Sequence, residues 1–179
     1  MNTRAQTPLE KIQKVSKIVR MGCKIFGGLA LFSILLLLVM IITGKGAWPL
    51  DGGDKIPMNQ FTTGAKILAI TVVILGSAVA FKGIYHLHKL FANYAKGEIF
   101  TTGCVAQIKQ LGITFLLAGG LSILELPVGP ILIKLCKPAT ATVVFDYPFF
   151  SLLTGGLIIL LSWVMDAGRG LREEGELTI

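Results

Sequence analysis

The sequence predicts an all-α membrane protein, a bundle of four transmembrane helices with a cytoplasmic αα-hairpin extension, and three observations predict it. Hydrophobic residues make up 53% of the 179 and charged ones 15%, and mean hydropathy is +0.74, outside the usual range of a water-soluble domain. The apolar residues fall into four blocks bounded by charges, each near the roughly 20 helical residues that cross a hydrocarbon layer about 30 Å thick. Of the 17 lysines and arginines, six precede the first block, four lie between the second and third, two follow the fourth, and five sit in the remaining loops and their edges. Positive residues collect on the cytoplasmic side, so twelve against five directs both termini inward. Residues 1–179 then form a single integral membrane domain.

The first helix is expected to start at Pro8, because Thr7 is a good N-cap, proline suits the first helical position and Glu10 completes a capping box. Its first turns, within the cytoplasmic flank 1–24, interleave Lys11, Lys14, Lys17, Arg20 and Lys24 with Ile12, Val15, Ile18 and Val19. This is either the positive-inside flank of the span that follows or a basic amphipathic surface for anionic headgroups. The first span, 25–44, carries no charge and centres on a run from Leu35 to Met40. The long preceding region, and the lack of a small-x-small cleavage site, set it apart from a secretory signal peptide. Residues 45–60, with Trp48, Pro49, Asp51, Gly52, Gly53, Asp54 and Pro57, read as an exposed outer loop.

The second span, 67–81, is short between Lys66 and Lys82 unless both lysines reach outward. Its helical periodicity continues through Ile84, Leu87, Leu90, Phe91 and Tyr94 to Gly97, which reads as a C-cap by its position and type. Thr101 or Thr102 then caps the third helix, closing the αα-hairpin. The third span, 110–126, stops where Pro127 and Pro130 forbid regular helix. The runs 131–136 and 142–145, rich in β-branched residues, suit a small outer β-hairpin. The fourth span, 149–165, is expected to continue as helix to about Glu174, leaving 166–179 as a cytoplasmic tail.

The motifs argue against several kinds of chemistry. Cys23, Cys104 and Cys136 share no metal-ligand spacing and read as small buried hydrophobes. His86 and His88 are two residues apart on a helix, about 200° around it, and do not converge on one metal. No nucleophile motif or phosphate-binding glycine loop is present. The expectation is therefore a non-enzymatic protein without a catalytic site, metal or cofactor, and the net charge of +7 is explained by membrane orientation rather than by nucleic-acid binding.

Three features carry candidate function. Glu125 is the one acid within a span, readable as an intramembrane polar site or as an interfacial residue paired with Lys66 or Lys134. Gly76, Gly112, Gly119, Gly120, Gly155 and Gly156, with Ala80, read as close helix contacts inside the bundle, the alternative being a homo-oligomer face. The tail combines alternating charges with Leu177, Thr178 and Ile179, a frayed end or a segment that docks on a partner.

Two cytoplasmic blocks carry a family resemblance. Gly97, Glu98, Ile99, Phe100 and Thr101, followed by Ile108, Leu111 and Gly112, resemble a recurring block of one bacterial family, and the run from Gly170 to Ile179 resembles its closing signature. The family is a domain-of-unknown-function group of small four-span inner-membrane proteins, often encoded beside a helix-turn-helix regulator of the Cro/CI type. The resemblance implies a bacterial inner-membrane location, four spans and a small regulator as partner. It directs attention to Gly97, Phe100, Arg172, Glu173, Glu174, Glu176 and Leu177 as partner-binding residues, with a small transporter or ion conduit using Glu125 as the alternative.

Overall fold

The computed structural model describes residues 8–49, 55–98, 101–128, 130–131 and 149–177. Among the described residues, four helices are long and apolar enough to cross a membrane: α1 (Pro8–Thr43), α2 (Thr63–Tyr94), α3 (Thr102–Glu125) and α4 (Phe149–Leu177). At 1.5 Å per residue, α1, α2 and α4 measure about 54, 48 and 44 Å and α3 about 36 Å, so all four are longer than the roughly 30 Å hydrocarbon layer, α3 by the least. α1 starts at Pro8 as the sequence predicts, while Thr7 lies outside the described residues. α4 continues to Leu177, three residues beyond the expected end.

The helix ends follow local chemistry. The Thr62 hydroxyl accepts from Ala65 N at 3.3 Å and the Thr101 hydroxyl from Cys104 N at 3.4 Å, which assigns the N-caps of α2 and α3. At the α2–α3 turn, Glu98 N donates to Asn93 O at 3.2 Å and Gly97 N to Tyr94 O at 3.0 Å, the paired bonds of a Schellman ending. Gly97 has φ +88°, a backbone conformation that disfavours a Cβ. Gly97→Ala is therefore expected to destabilise the protein by about 1 kcal/mol, read as a lower unfolding midpoint in detergent.

The outer β-hairpin expected from 131–136 and 142–145 falls largely outside the described residues. The described strand pair lies in the segment read as an exposed outer loop: β1 (Ala47–Pro49) pairs antiparallel with β2 (Lys55–Pro57), Trp48 opposite Ile56. The turn formers noted at 51–54 lie outside the described residues. A 3₁₀ turn at Met58–Gln60 follows, and Met58 N donates to Gly46 O at 2.9 Å, seating the loop on the end of α1.

Neighbouring helices pack in chain order, α1 on α2, α2 on α3 and α3 on α4, so α1 and α3 flank α2 rather than pack extensively on each other. The interior is divided. Toward the end that carries the strand pair, Ile41, Met58, Phe61, Ala65 and Ala69 form a core supported by Leu37, Leu68 and Val128. Toward the end that carries the N-terminal lysines, called the basic side below, Leu90, Cys104 and Ile108 form a second core with Tyr94, Leu111, Ile158 and Met165.

The α3–α4 seam depends on three of the six glycines singled out from the sequence. A Cβ at Gly112 would lie 2.9 Å from Gly155 O, one at Gly155 would lie 2.9 Å from Gly112 O, and one at Gly119 would lie 2.7 Å from a Leu152 methyl. Ser151 Oγ reinforces the seam by donating to Phe115 O at 2.9 Å. Gly76, Gly120 and Gly156 are not such contacts, because a Cβ at each meets nothing within 4 Å. Gly120 and Gly156 each directly follow a seam glycine, and one residue turns the helix by about 100°, which takes them off the seam.

Candidate functional site

α2 places the candidate site between the two cores. Its residues 65–73 serve the core beside the strand pair and Leu90 the basic-side core, while the stretch between them borders a cavity of about 910 Å³. Small residues open that space: Gly22 on α1, Gly76, Ala80 and Gly83 on α2, and Ala118 on α3. The rest of the wall is mainly apolar, with Ile18 and Phe26 from α1, Ile84 and Leu87 from α2, and Leu111 and Phe115 from α3. Such a volume, apolar with few polar groups, matches a small-molecule site, for which about 300–1,000 Å³ is usual.

Glu125 stands on this wall at the last residue of α3. Two other polar side chains line the cavity, and both are engaged: Thr114 Oγ1 donates to Gln110 O at 2.8 Å and Ser122 Oγ to Ala118 O at 3.0 Å. Glu125 has no hydrogen bond or ion pair among the described residues. The pairing with Lys66 expected as one reading does not form. Lys66 Nζ instead donates to Ile42 O at 3.3 Å, satisfying a carbonyl in the last turn of α1 that has no helical partner. Lys134, the other expected partner, lies outside the described residues.

On the basic side, the two histidines face different helices. His86 Nδ1 lies 2.8 Å from Gln107 Oε1 on α3, and with the amide oxygen accepting, the proton sits on Nδ1. Gln107 is 9% exposed, so this bond joins two helices in a nearly dry setting. Arg20 Nε on α1 donates to His88 Nε2 at 3.4 Å. A guanidinium has no acceptor, so His88 Nε2 is unprotonated in this contact. The 200° spacing thus serves two neighbouring helices. Sequence reasoning missed Gln107 and Arg20 as partners, although Gln107 lies on the apolar stripe of Cys104, Ile108 and Leu111, a signal that it faces inward.

The predicted partner-binding residues divide between described and undescribed positions. Gly97 makes the hairpin turn, and Phe100 lies outside the described residues. Arg172, Glu173, Glu174, Glu176 and Leu177 belong to the final turns of α4. Met165 packs on the basic-side core, so the twelve residues after it carry α4 about 18 Å beyond that core. Glu125 is not brought to this surface, because the whole of α3, about 36 Å, separates the two.

Compared with known proteins, residues 47–179 match the model of a family described as protein of unknown function, DUF2975. No curated protein and no solved structure matches the chain.

Proposed function

We propose that this chain, which belongs to the DUF2975 family, is a non-enzymatic integral protein of the bacterial inner membrane that holds a cytoplasmic protein partner through its α2–α3 hairpin and the end of α4. The observation that carries this reading is the extension of α4 about 18 Å beyond the basic-side core, on the same side as the capped hairpin turn. Helix without a hydrocarbon layer around it is available to a soluble partner, and the excess of lysine and arginine on that side directs it to the cytoplasm. The small helix-turn-helix regulator implied by the sequence resemblance is the partner proposed. Direct nucleic-acid binding by this chain is not part of the reading.

The test is a pull-down in mild detergent from the native membrane, comparing the intact chain with one lacking residues 170–179. The expected result is a small DNA-binding protein retained by the intact chain and lost with the deletion, while membrane insertion stays normal because the span 149–165 is untouched. Equal retention by both chains removes the tail from the mechanism, and retention by neither removes the partner.

A second reading, a small transporter or ion conduit, is favoured by the position of Glu125 on the cavity wall. It predicts that Glu125→Gln abolishes flux in proteoliposomes, and a flux unchanged by that substitution ends it.

A further inference from the structure

We infer that the cavity beside α2 binds a single-chain amphiphile bearing one positive charge, with its cation at Glu125 and its tail along the apolar wall toward Leu111. The first support is the distribution of polarity. The Thr114 and Ser122 hydroxyls donate to carbonyls of their own helix, and Cys23 offers only a thiol, a weak hydrogen-bonding group. Among the described residues, Glu125 is therefore the one wall group whose charge is left for a ligand.

The second support is independent of the cavity. Glu125 ends α3, where the helix dipole already places partial negative charge, and the last turn contains no basic residue. Carboxylate and helix terminus reinforce one another, so a positive group is doubly favoured there and an anionic one doubly opposed. A carboxylate beside apolar walls is also costly without an opposite charge.

The third support is shape. From Glu125 to Leu111 the wall follows fourteen residues of α3, about 21 Å, with the polar group at one end. That layout fits a long tail with a terminal ammonium. A zwitterionic phospholipid is a poorer fit, because its phosphate would lie near the same carboxylate. The space between α1 and α3 gives access from the bilayer, since these helices do not pack extensively on each other.

This inference concerns equilibrium binding and is separate from partner recruitment on the basic side. It shares Glu125 with the conduit reading, and a chain that binds the cation without moving it leaves the inference intact while ending that reading.

The experiment is native mass spectrometry of the purified, delipidated chain, titrated with hexadecyltrimethylammonium or with hexadecanoate, probes with comparable tails and opposite charges. The wild type is expected to form a saturable one-to-one adduct with the ammonium at about tenfold lower concentration than with the carboxylate, by charge attraction alone. Glu125→Gln should erase that preference. Gly76→Leu should weaken both adducts by filling the cavity, at a site where an added Cβ meets nothing within 4 Å and the fold is spared. Equal binding of the two probes by the wild type overturns the proposal, as does a preference unchanged by Glu125→Gln. Retention of a two-tailed ethanolamine lipid in place of the single-chain cation also overturns it.

Discussion

Replacing Gly155 with leucine is expected to destabilise the protein by about 3 kcal/mol and to loosen α4 from α3. Its added Cβ would lie 2.9 Å from Gly112 O, Leu116 N and Leu116 Cγ. Two of these atoms are backbone, so no side-chain rotation relieves the overlap, and the helices must move apart. Gly112 meets the same seam from the other side, where a Cβ would lie 2.6 Å from Ile159 Cγ1 and 2.9 Å from Gly155 O. Lipid offers little hydrophobic reward for bringing helices together, so close backbone packing carries much of the association and its loss is costly. The measurement is the unfolding midpoint in detergent. Gly156→Ala is the matched control, expected within about 0.5 kcal/mol of the wild type because a Cβ there meets nothing within 4 Å. A Gly155→Leu protein as stable as that control would refute the close seam. Effects of Gly112 and Gly155 substitutions should fall short of their sum, since both disrupt one contact.

The next largest effect is expected at Ile41, where alanine should cost about 2 kcal/mol. Ile41 is fully buried among Met58, Phe61, Ala65 and Ala69, joining the end of α1 to the 3₁₀ turn and the start of α2. Lipid is as apolar as this core, so the lost transfer energy is small and the cost comes chiefly from the unfilled space left between these elements. Ile42, its neighbour, is 64% exposed and supplies the control. Thermal unfolding of Ile41→Ala and Ile42→Ala in the same detergent should separate them clearly, and equal midpoints would contradict the burial of Ile41.

Much of the fold was legible residue by residue. Pro8 at the first position of α1, a threonine N-cap at Thr101 or Thr102, which the structure assigns to Thr101, and Gly97 in the hairpin turn each follow from a preference that acts within a few residues. The strand pair at Ala47–Pro49 and Lys55–Pro57 was not legible, because that loop reads as turn formers and the pair is seated by the Met58 N to Gly46 O bond on the end of α1. For the candidate site, Glu125 stood out as an acid within a span, but its neighbours did not. The pairing with Lys66 was plausible from sequence and fails because Lys66 reaches the open Ile42 carbonyl instead.

What the sequence by itself determined is the membrane fold, since each span is chosen by the summed transfer of one contiguous segment from water to hydrocarbon, a quantity that needs no knowledge of the other helices. Only the tertiary structure decided which apolar and small residues face protein, cavity or lipid. Gly155 meets a backbone while the adjacent Gly156 meets open space, and Gly76 helps to open a cavity rather than close a seam. The physical reason is that lipid is as apolar as leucine: hydrophobicity marks a span but not its inward side, and that side is settled by close packing and hydrogen bonds between helices distant in the chain.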